Sequence, residues 1–303
     1  MNIFVTGGTG FIGTFLVKSL IQNGHTVTVY DDLSNSSDDK VSQLTKNDVA
    51  VIEGDIRDFE FLKKHLVGFD VVIHLAAKID VNESIKNPQE TIDVNVKGSQ
   101  NLLKACVENN IKNIIGISSA AVFGIPKKLP LSEESETNPL SPYGQSKLTM
   151  EQDFQKYSKL YAINSIILRI FNVYGPGQSD AYAGVITKFL NNISENKPLI
   201  IFGDGSFTRD FISVQDVVSA INKSIENLEG KKGEIYNIAT GKYFSIKEIA
   251  ELMLSISGKK LEIKYEKEKP GDIPHSQTLI DKAKQELGFA PSVTLKNGLA
   301  KLF

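Results

Sequence analysis

In the stretch Ser141-Pro142-Tyr143-Gly144-Gln145-Ser146-Lys147, a phenol and an ammonium stand four residues apart. Ser141 is a suitable helix N-cap and Pro142 fits the first helical position. Four apart on a helix is one face, so Tyr143 and Lys147 are expected to point the same way. A phenol with a pKa of about 10 is a poor base at neutral pH. A lysine ammonium beside it stabilises phenolate, which makes the pair a candidate proton-transfer device. Tyrosine and lysine at this spacing are common by chance. This pair gains weight from the run Asn113-Ile114-Ile115-Gly116-Ile117-Ser118-Ser119, which reads as a strand ending in two hydroxyls. Ser119 is the third candidate catalytic residue.

Such a constellation needs a scaffold, and the chain opens on one. Ile3, Phe4 and Val5 form a short apolar run, as in a strand buried on both faces. Glycines follow at 7, 10 and 13, and residues 11–20 have helical periodicity, with Gly24 as the stop. Strand, glycine turn and helix together place a phosphate on a helix N-terminus, where N–H groups point at it and the dipole favours its charge. In this reading Gly7 allows the tight turn, Gly10 the close approach of a pyrophosphate, and Gly13 the packing of helix on sheet. A nicotinamide cation bound there would further favour Tyr143 phenolate.

Residues 26–30 alternate as a second strand ending at Asp31-Asp32. An acid about 20 residues beyond the glycines is placed to hydrogen-bond a ribose diol and to repel a 2′-phosphate. NAD is therefore preferred to NADP, with Asp31 the better-placed acid and Asp32 the second candidate. Residues 33–47 read as loop. Strands are expected at 49–56, 71–77 and 113–119, and helices at 58–67 and 88–109. This alternation is that of a Rossmann-like doubly wound parallel sheet, in which ligands bind beyond the carboxyl ends of the strands. Asp31, Asp55, Ala76 and Ser119 lie at such ends. Residues 125–140 read as a polar surface loop, a flap over the ligand, with the charges of Ser132-Glu133-Glu134 in solvent. A sixth strand is expected at 162–169.

A smaller C-terminal α/β substrate lobe follows. Its expected pieces are a helix near 183–194, a strand at 199–202, a helix at 246–256 opened by the capping box Ser245-Ile246-Lys247-Glu248, a strand at 261–266 and a helix after Val293. Residues 211–227 read as an extended piece and helix returning to the first lobe. The expected division is 1–172, with 211–236 returning to it, for the NAD-binding domain. Residues 173–210 and 237–303 are expected to form the substrate lobe.

At 303 residues, 41% apolar and 23% charged, the chain has globular values, and its net charge of −2 gives no electrostatic pull toward nucleic acid or anionic membrane. No apolar run approaches a membrane span. A core strand from residue 2 leaves no room for a signal peptide, and a cytoplasmic protein is expected. The single cysteine, Cys106, sits in an apolar helical pattern and is expected to be a buried thiol. His25, His65, His74 and His275 are scattered, without metal-ligand spacing.

The motifs Gly7-x-x-Gly10-x-x-Gly13, Gly54-Asp55-Ile56, His74-Leu75-Ala76-Ala77, Ser118-Ser119-Ala120-Ala121-Val122-Phe123-Gly124 and Tyr143-x-x-x-Lys147 occur together. They are followed by Arg169-Ile170-Phe171-Asn172-Val173-Tyr174-Gly175-Pro176, Gly203-Asp204-Gly205-x-x-Thr208-Arg209-Asp210-Phe211, Pro270-Gly271-Asp272 and Leu287-Gly288-Phe289-x-Pro291. In order and spacing, over nearly the whole chain, this resembles the extended short-chain dehydrogenase/reductase family, and within it the nucleotide-sugar epimerases and dehydratases. Dehydratases of the family carry an Asp-Glu pair after the serine-motif hydroxyl, and decarboxylases a glutamate. Here Ala120 and Ala121 follow Ser119, so the resemblance is nearest to the UDP-glucose 4-epimerases. Phe123 replaces the tyrosine of the family's Val-Tyr-Gly.

The resemblance implies an NAD-dependent 4-epimerase of a UDP-hexose. Tyr143 would be the base at the C4 hydroxyl, Ser119 its relay, and Lys147 the ligand of the nicotinamide ribose. NAD⁺ would accept the C4 hydride and return it to the other face of a 4-keto sugar. Cofactor contacts are implied for Gly7, Gly10, Phe11, Ile12, Gly13, Asp31, Asp55, Ile56, Leu75, Ala76, Ala77 and Asn95, besides Tyr143 and Lys147. Substrate contacts are implied for Ser119, Tyr143, Asn172, Arg209, Lys269, Asp272 and Ser276. Arg209 could fork onto a diphosphate or pair with a nearby acid. Lys269 stands where the family often has arginine, and lysine cannot fork. Ser276 falls at a gate beside the sugar, small enough to admit an N-acetyl group. The alternatives are a UDP-glucuronate 4-epimerase or another nucleotide-sugar epimerase of the family and, more remotely, a non-catalytic dinucleotide sensor. Relatives dimerise through helices corresponding to 88–109 and 143–160, so a homodimer is expected.

Overall fold

A computed structural model describes residues 1–178, 184–268 and 271–303. The strands are β1 (Asn2–Thr6), β2 (Thr26–Asp31), β3 (Ala50–Glu53), β4 (Val71–His74), β5 (Asn113–Ser119), β6 (Asn164–Ile170), β7 (Asn172–Tyr174), β8 (Leu199–Phe202), β9 (Thr208–Arg209), β10 (Phe211–Ser213), β11 (Lys232–Ile238), β12 (Phe244–Ser245) and β13 (Ile263–Glu266). The α-helices are α1 (Phe11–Gln22), α2 (Asp38–Thr45), α3 (Phe59–His65), α4 (Val81–Lys86), α5 (Pro88–Ile92), α6 (Ser99–Glu108), α7 (Pro142–Tyr161), α8 (Val185–Ser194), α9 (Val214–Glu226), α10 (Ile246–Ser257), α11 (Asp281–Leu287) and α12 (Leu295–Ala300).

Seven strands pair in parallel in the order β3-β2-β1-β4-β5-β6-β11. The expected doubly wound sheet is thus present, and its order reverses between β1 and β4, where a crevice opens at the carboxyl ends. Alternation along β1 sends Ile3 and Val5 into a core with α1, α9 and α11, and Phe4 into a second core with α3, α6 and α7. With both faces covered, the strands read as continuous apolar runs. A third core, with Phe189, Leu199, Ile249, Met253 and Leu299, belongs to α8, β8, α10 and α12. The return of 211–226 to the first cores occurs as expected, and Ala283, Leu287 and Phe289 join it.

The differences have local causes. Residues 33–47, expected as loop, contain α2. Ser37 is extended at its N-cap position, Asp38 and Asp39 suit the dipole of its first turn, and Leu44 alone is its buried anchor. One apolar anchor in a polar stretch leaves no period to detect. β3 stops at Glu53, and Gly54 beyond it packs on the Tyr30 ring, where a Cβ would come within 2.5 Å of the phenol oxygen. Asp55 therefore lies in the turn beyond the strand. The helical run 88–109 is broken by a π-helical turn at Asp93–Gly98. It is also preceded by α4, whose N-cap Asp80 accepts the Glu83 N–H at 2.9 Å. The capping box of α10 forms as expected.

Candidate active site

The carboxyl ends of the sheet open into a cavity of about 540 Å³. Gly7, Gly10, Phe11, Ile12 and Gly13 line one end of it, with Asp31, Asp55 and Ile56 beside them, then Leu75, Ala76 and Ala77. Ser119, Tyr143 and Lys147 stand in the middle, and Asn172, Arg209 and Ser276 at the far end. A second cavity of about 270 Å³ adjoins it through Asn172 and Arg209 and is lined also by Asp272. Lys269 lies outside the described residues.

The glycine turn is forced into shape by contact. Gly7 has φ +72°, and a Cβ on it would sit 2.6 Å from the Ala76 nitrogen. A Cβ on Gly13 would meet the Gly7 carbonyl oxygen at 2.4 Å, so Gly13 is required by the turn itself rather than by the sheet. No side chain caps the first turn of α1. Uncapped N–H groups at a helix N-terminus on the cavity wall fit a pyrophosphate. Asp31 is buried, with Oδ2 accepting the Thr9 N–H at 3.0 Å and Oδ1 the Leu33 N–H at 3.0 Å. Those two bonds orient the carboxylate at the end of β2, as a ribose diol needs. Asp32 also lines the cavity but is spent on the Ser34 N–H and hydroxyl. The Arg57 guanidinium hydrogen-bonds Asp55 and holds its carboxyl below the usual range. The wall thus fits NAD: an anion site, a ribose acid and, further along, a proton-transfer group.

The first turn of α7 is held from several sides. Ser141 Oγ accepts the Gly144 N–H at 3.1 Å, and Ser84 Oγ accepts the Tyr143 N–H at 3.2 Å. The Ser119 hydroxyl, which accepts the Ala121 N–H at 3.2 Å, stands close enough to the Tyr143 phenol to favour its ionised form. Lys147 is buried and donates to the Ile117 carbonyl at 2.8 Å. Burial pushes Tyr143 up, with only the Ser119 hydroxyl pulling the other way. Burial also pushes Lys147 down to about 8, with the Glu151 carboxylate opposing it. Phenolate at Tyr143 therefore needs further positive charge in the cavity.

Behind this helix Glu151 accepts from Ser118 Oγ at 2.5 Å and from Arg169 at 2.9 and 2.8 Å. Arg169 also donates to the Glu133 carbonyl at 3.0 Å, and Glu133 Oε1 accepts the Asn237 N–H at 2.7 Å. The 125–140 segment is therefore anchored, and Glu133 is not the solvated charge expected of it. Leu131 is buried and exchanges backbone hydrogen bonds with Gln277 and Leu279 at 2.8 Å. The spacing from Lys147 to Glu151, one helical turn, was the available signal for this cluster.

At the far end, Arg209 donates to Asp272 Oδ1 at 2.8 Å, to the Thr208 carbonyl at 2.9 Å and to the Pro274 carbonyl at 3.3 Å. The pairing with a nearby acid is realised, and it fixes a guanidinium that lines both cavities. Ser276 is buried on the wall, held by its N–H to Thr208 at 3.0 Å. Asn172 donates to the Asp210 carbonyl at 2.9 Å. Asn95 does not line the cavity. Its amide is spent on the Lys78 N–H (2.8 Å), the Lys78 carbonyl (2.9 Å) and Ser146 Oγ (2.9 Å). Wall residues that sequence reasoning did not single out include Thr9, Lys78 and Gln178.

Comparison with known proteins places the chain. Residues 3–239 match the NAD dependent epimerase/dehydratase family. A UDP-glucose 4-epimerase of Mycolicibacterium smegmatis is 33% identical, over 99% of this chain and 97% of its own length. The crystal structure of UDP-glucose 4-epimerase with UDP-glucose from Thermotoga maritima superposes with a TM-score of 0.93 at 34% identity, covering 100% of this chain and 97% of that one. That of UDP-glucuronic acid 4-epimerase from Bacillus cereus, in complex with UDP-glucuronic acid and NAD, gives 0.92 at 34% identity, covering 100% and 98%. Motif order, sheet topology and these full-length matches agree: the chain belongs to the NAD-dependent epimerase/dehydratase family.

Proposed function

We propose that the protein is an NAD-dependent 4-epimerase of UDP-hexoses, interconverting UDP-glucose and UDP-galactose. The observation that carries this reading is the position of Tyr143, on one cavity wall with Ser119 and Lys147, between the cofactor end of the cavity and Arg209 at its junction with the second one. A sugar lying there has its diphosphate toward Arg209 and a ring hydroxyl toward the phenol. Ala120 and Ala121 line the cavity beside Ser119, which supports epimerisation over an elimination that needs carboxylates there.

Bound NAD⁺ supplies the acceptor and later donor of the C4 hydride, and a positive ring beside the phenol. Tyr143 takes the C4 hydroxyl proton, Ser119 holds it in line, and the proton returns from Tyr143 when the C4 hydroxyl re-forms. Lys147, fixed on the Ile117 carbonyl, presents its ammonium to the same space. Gly10 to Gly13 hold the pyrophosphate, and Asp31 the adenosine ribose, with its charge disfavouring NADP. Leu75, Ala76, Ala77, Asp55 and Ile56 complete that wall. Asn172, Arg209, Asp272 and Ser276 serve the nucleotide sugar, together with Lys269. Residues 1–172 with 211–236 form the NAD domain, to whose core the end of β11 and α11 are added, and 173–210 with the rest of 237–303 form the sugar-nucleotide lobe. Ser276 leaves room for an N-acetyl group, so UDP-GlcNAc and UDP-GalNAc belong to the substrates to be tried.

A homodimer through α5, α6 and α7 is supported by exposed Ile85, Ile92 and Leu160 on and beside these helices. A cytoplasmic location is in keeping with the buried free thiol of Cys106. Among the described residues no helix is long and apolar enough to cross a membrane. The test is incubation of the NAD-loaded protein with UDP-galactose, UDP-GalNAc or UDP-galacturonate, followed by chromatography. The matching 4-epimer identifies the sugar. Absence of any epimer overturns the reading.

A further inference from the structure

His74 carries no role in the reaction just described, yet it is the centre of a buried chain of hydrogen bonds. It ends β4, in register with Thr6 of β1. Its Nδ1 lies 2.7 Å from Thr6 Oγ1 and its Nε2 2.8 Å from Ser99 Oγ. Ser99 Oγ donates its proton to the Asn95 carbonyl at 2.5 Å. A carbonyl can only accept, and a serine has one proton, so Ser99 must accept from His74. Nε2 therefore carries the hydrogen, and in the neutral ring Nδ1 accepts from Thr6. Thr6 in turn accepts the Ala76 N–H at 3.3 Å. Every donor in the chain has one acceptor, and the direction is fixed from the cavity wall at Ala76 to the π-helical turn at Asn95.

Asn95 passes the constraint on. Its amide clamps both backbone groups of Lys78 and donates to Ser146 Oγ, which donates to the Tyr143 carbonyl at 2.7 Å. The His74 ring also lies nearly parallel to Phe154 of α7, centroids 6.3 Å apart. We infer that His74, locked as the Nε2–H tautomer, is a positioning residue that sets the catalytic helix carrying Tyr143 and Lys147 against the cofactor wall at Ala76 and Lys78. The inference rests on the proposed roles of Tyr143 and Lys147. Complete burial, with Lys147 nearby, pushes the imidazole down to about 3, in keeping with a neutral ring. A buried histidine that served only to fill space would not need both nitrogens matched to partners of opposite role.

The test has two arms on the NAD-loaded protein. In the first, ¹⁵N spectra of labelled histidine side chains should show His74 as the neutral Nε2–H tautomer between about pH 5 and about pH 8. A proton on Nδ1, or a charged ring in that range, overturns the assignment. In the second, Thr6→Val and Ser99→Ala remove one link each, and Thr6→Ser and Ser99→Thr keep it. Breaking a link should move the amide resonances of Lys78 and Ser146 and lower kcat roughly tenfold or more at little changed KM, with the hydroxyl-keeping variants restored. Wild-type kcat and unmoved resonances in folded Thr6→Val and Ser99→Ala would overturn the positioning role. If the wild type epimerises nothing, the functional reading fails by itself, and the tautomer and resonance measurements still decide the chain.

Discussion

Two arginine–carboxylate pairs, each at 2.8 Å, stand in different surroundings, one behind the cavity wall and one on it. Arg169 and Glu151, between β6 and α7, are 4% and 2% exposed, whereas Arg209 and Asp272, on the second cavity, are 15% and 41% exposed. The first pair joins α7, β5, β6 and the 125–140 segment through hydrogen bonds. The second holds one side of a guanidinium on loops and two-residue strands. A buried pair is costly to break because the survivor is left as an uncompensated charge, and an exposed one is cheap. The region proposed to do chemistry is thus built as part of the core, and the region proposed to bind the nucleotide sugar is built on loops and short strands.

Breaking each region should show that contrast. Glu151→Ala strands Arg169 and is expected to destabilise the fold by about 3–5 kcal/mol, read by denaturant unfolding. Two glycines separate binding from stability. Gly13→Ala drives a Cβ into the Gly7 carbonyl and should lose NAD affinity. Gly298→Ala drives one to 2.0 Å from the Tyr174 phenol oxygen. The latter should cost about 1–3 kcal/mol with NAD binding intact, by unfolding and cofactor titration. Arg209→Lys loses the fork and is expected to weaken UDP binding about tenfold with no change in melting temperature, by calorimetry.

The smallest effect concerns acid. His74 is pushed from 6.5 down to about 3, so below pH 6.5 the unfolded chain binds a proton that the native state refuses. Stability is then lost as pH falls, by about 1 kcal/mol between pH 6.5 and pH 5.5. His74→Gln should flatten that part of the pH profile, whatever it costs in absolute stability.

The same contrast decided what could be read from the sequence. β1 and β5 carry apolar runs and β2 alternates up to its terminal acid, and the structure places all three within a residue or so of their expected ends. Tyr143 and Lys147 share a helix face as their spacing requires, because α7 has its own cap in Ser141. The sugar end gave no such period. Ser276 and Arg209 are brought together by isolated pairings of Leu131 with Thr278 and of Thr208 with His275, long-range contacts with no local pattern. α2 was hidden by its single buried anchor, and Asn95 was assigned to the cofactor because sequence does not reveal which face of a π-helical turn is closed. His74 looked idle for want of metal spacing, although its partners Thr6 and Ser99 lie 68 and 25 residues away.

The division between chemistry and selection is tested most directly by steady-state kinetics of Tyr143→Phe and Arg209→Ala on the UDP-hexose that the wild type converts, with bound NAD measured in both. Tyr143→Phe is predicted to lose kcat by about 10²-fold or more while retaining NAD, and Arg209→Ala to raise KM with kcat nearly kept. Normal turnover by Tyr143→Phe, or loss of kcat at unchanged KM in Arg209→Ala, would contradict the account.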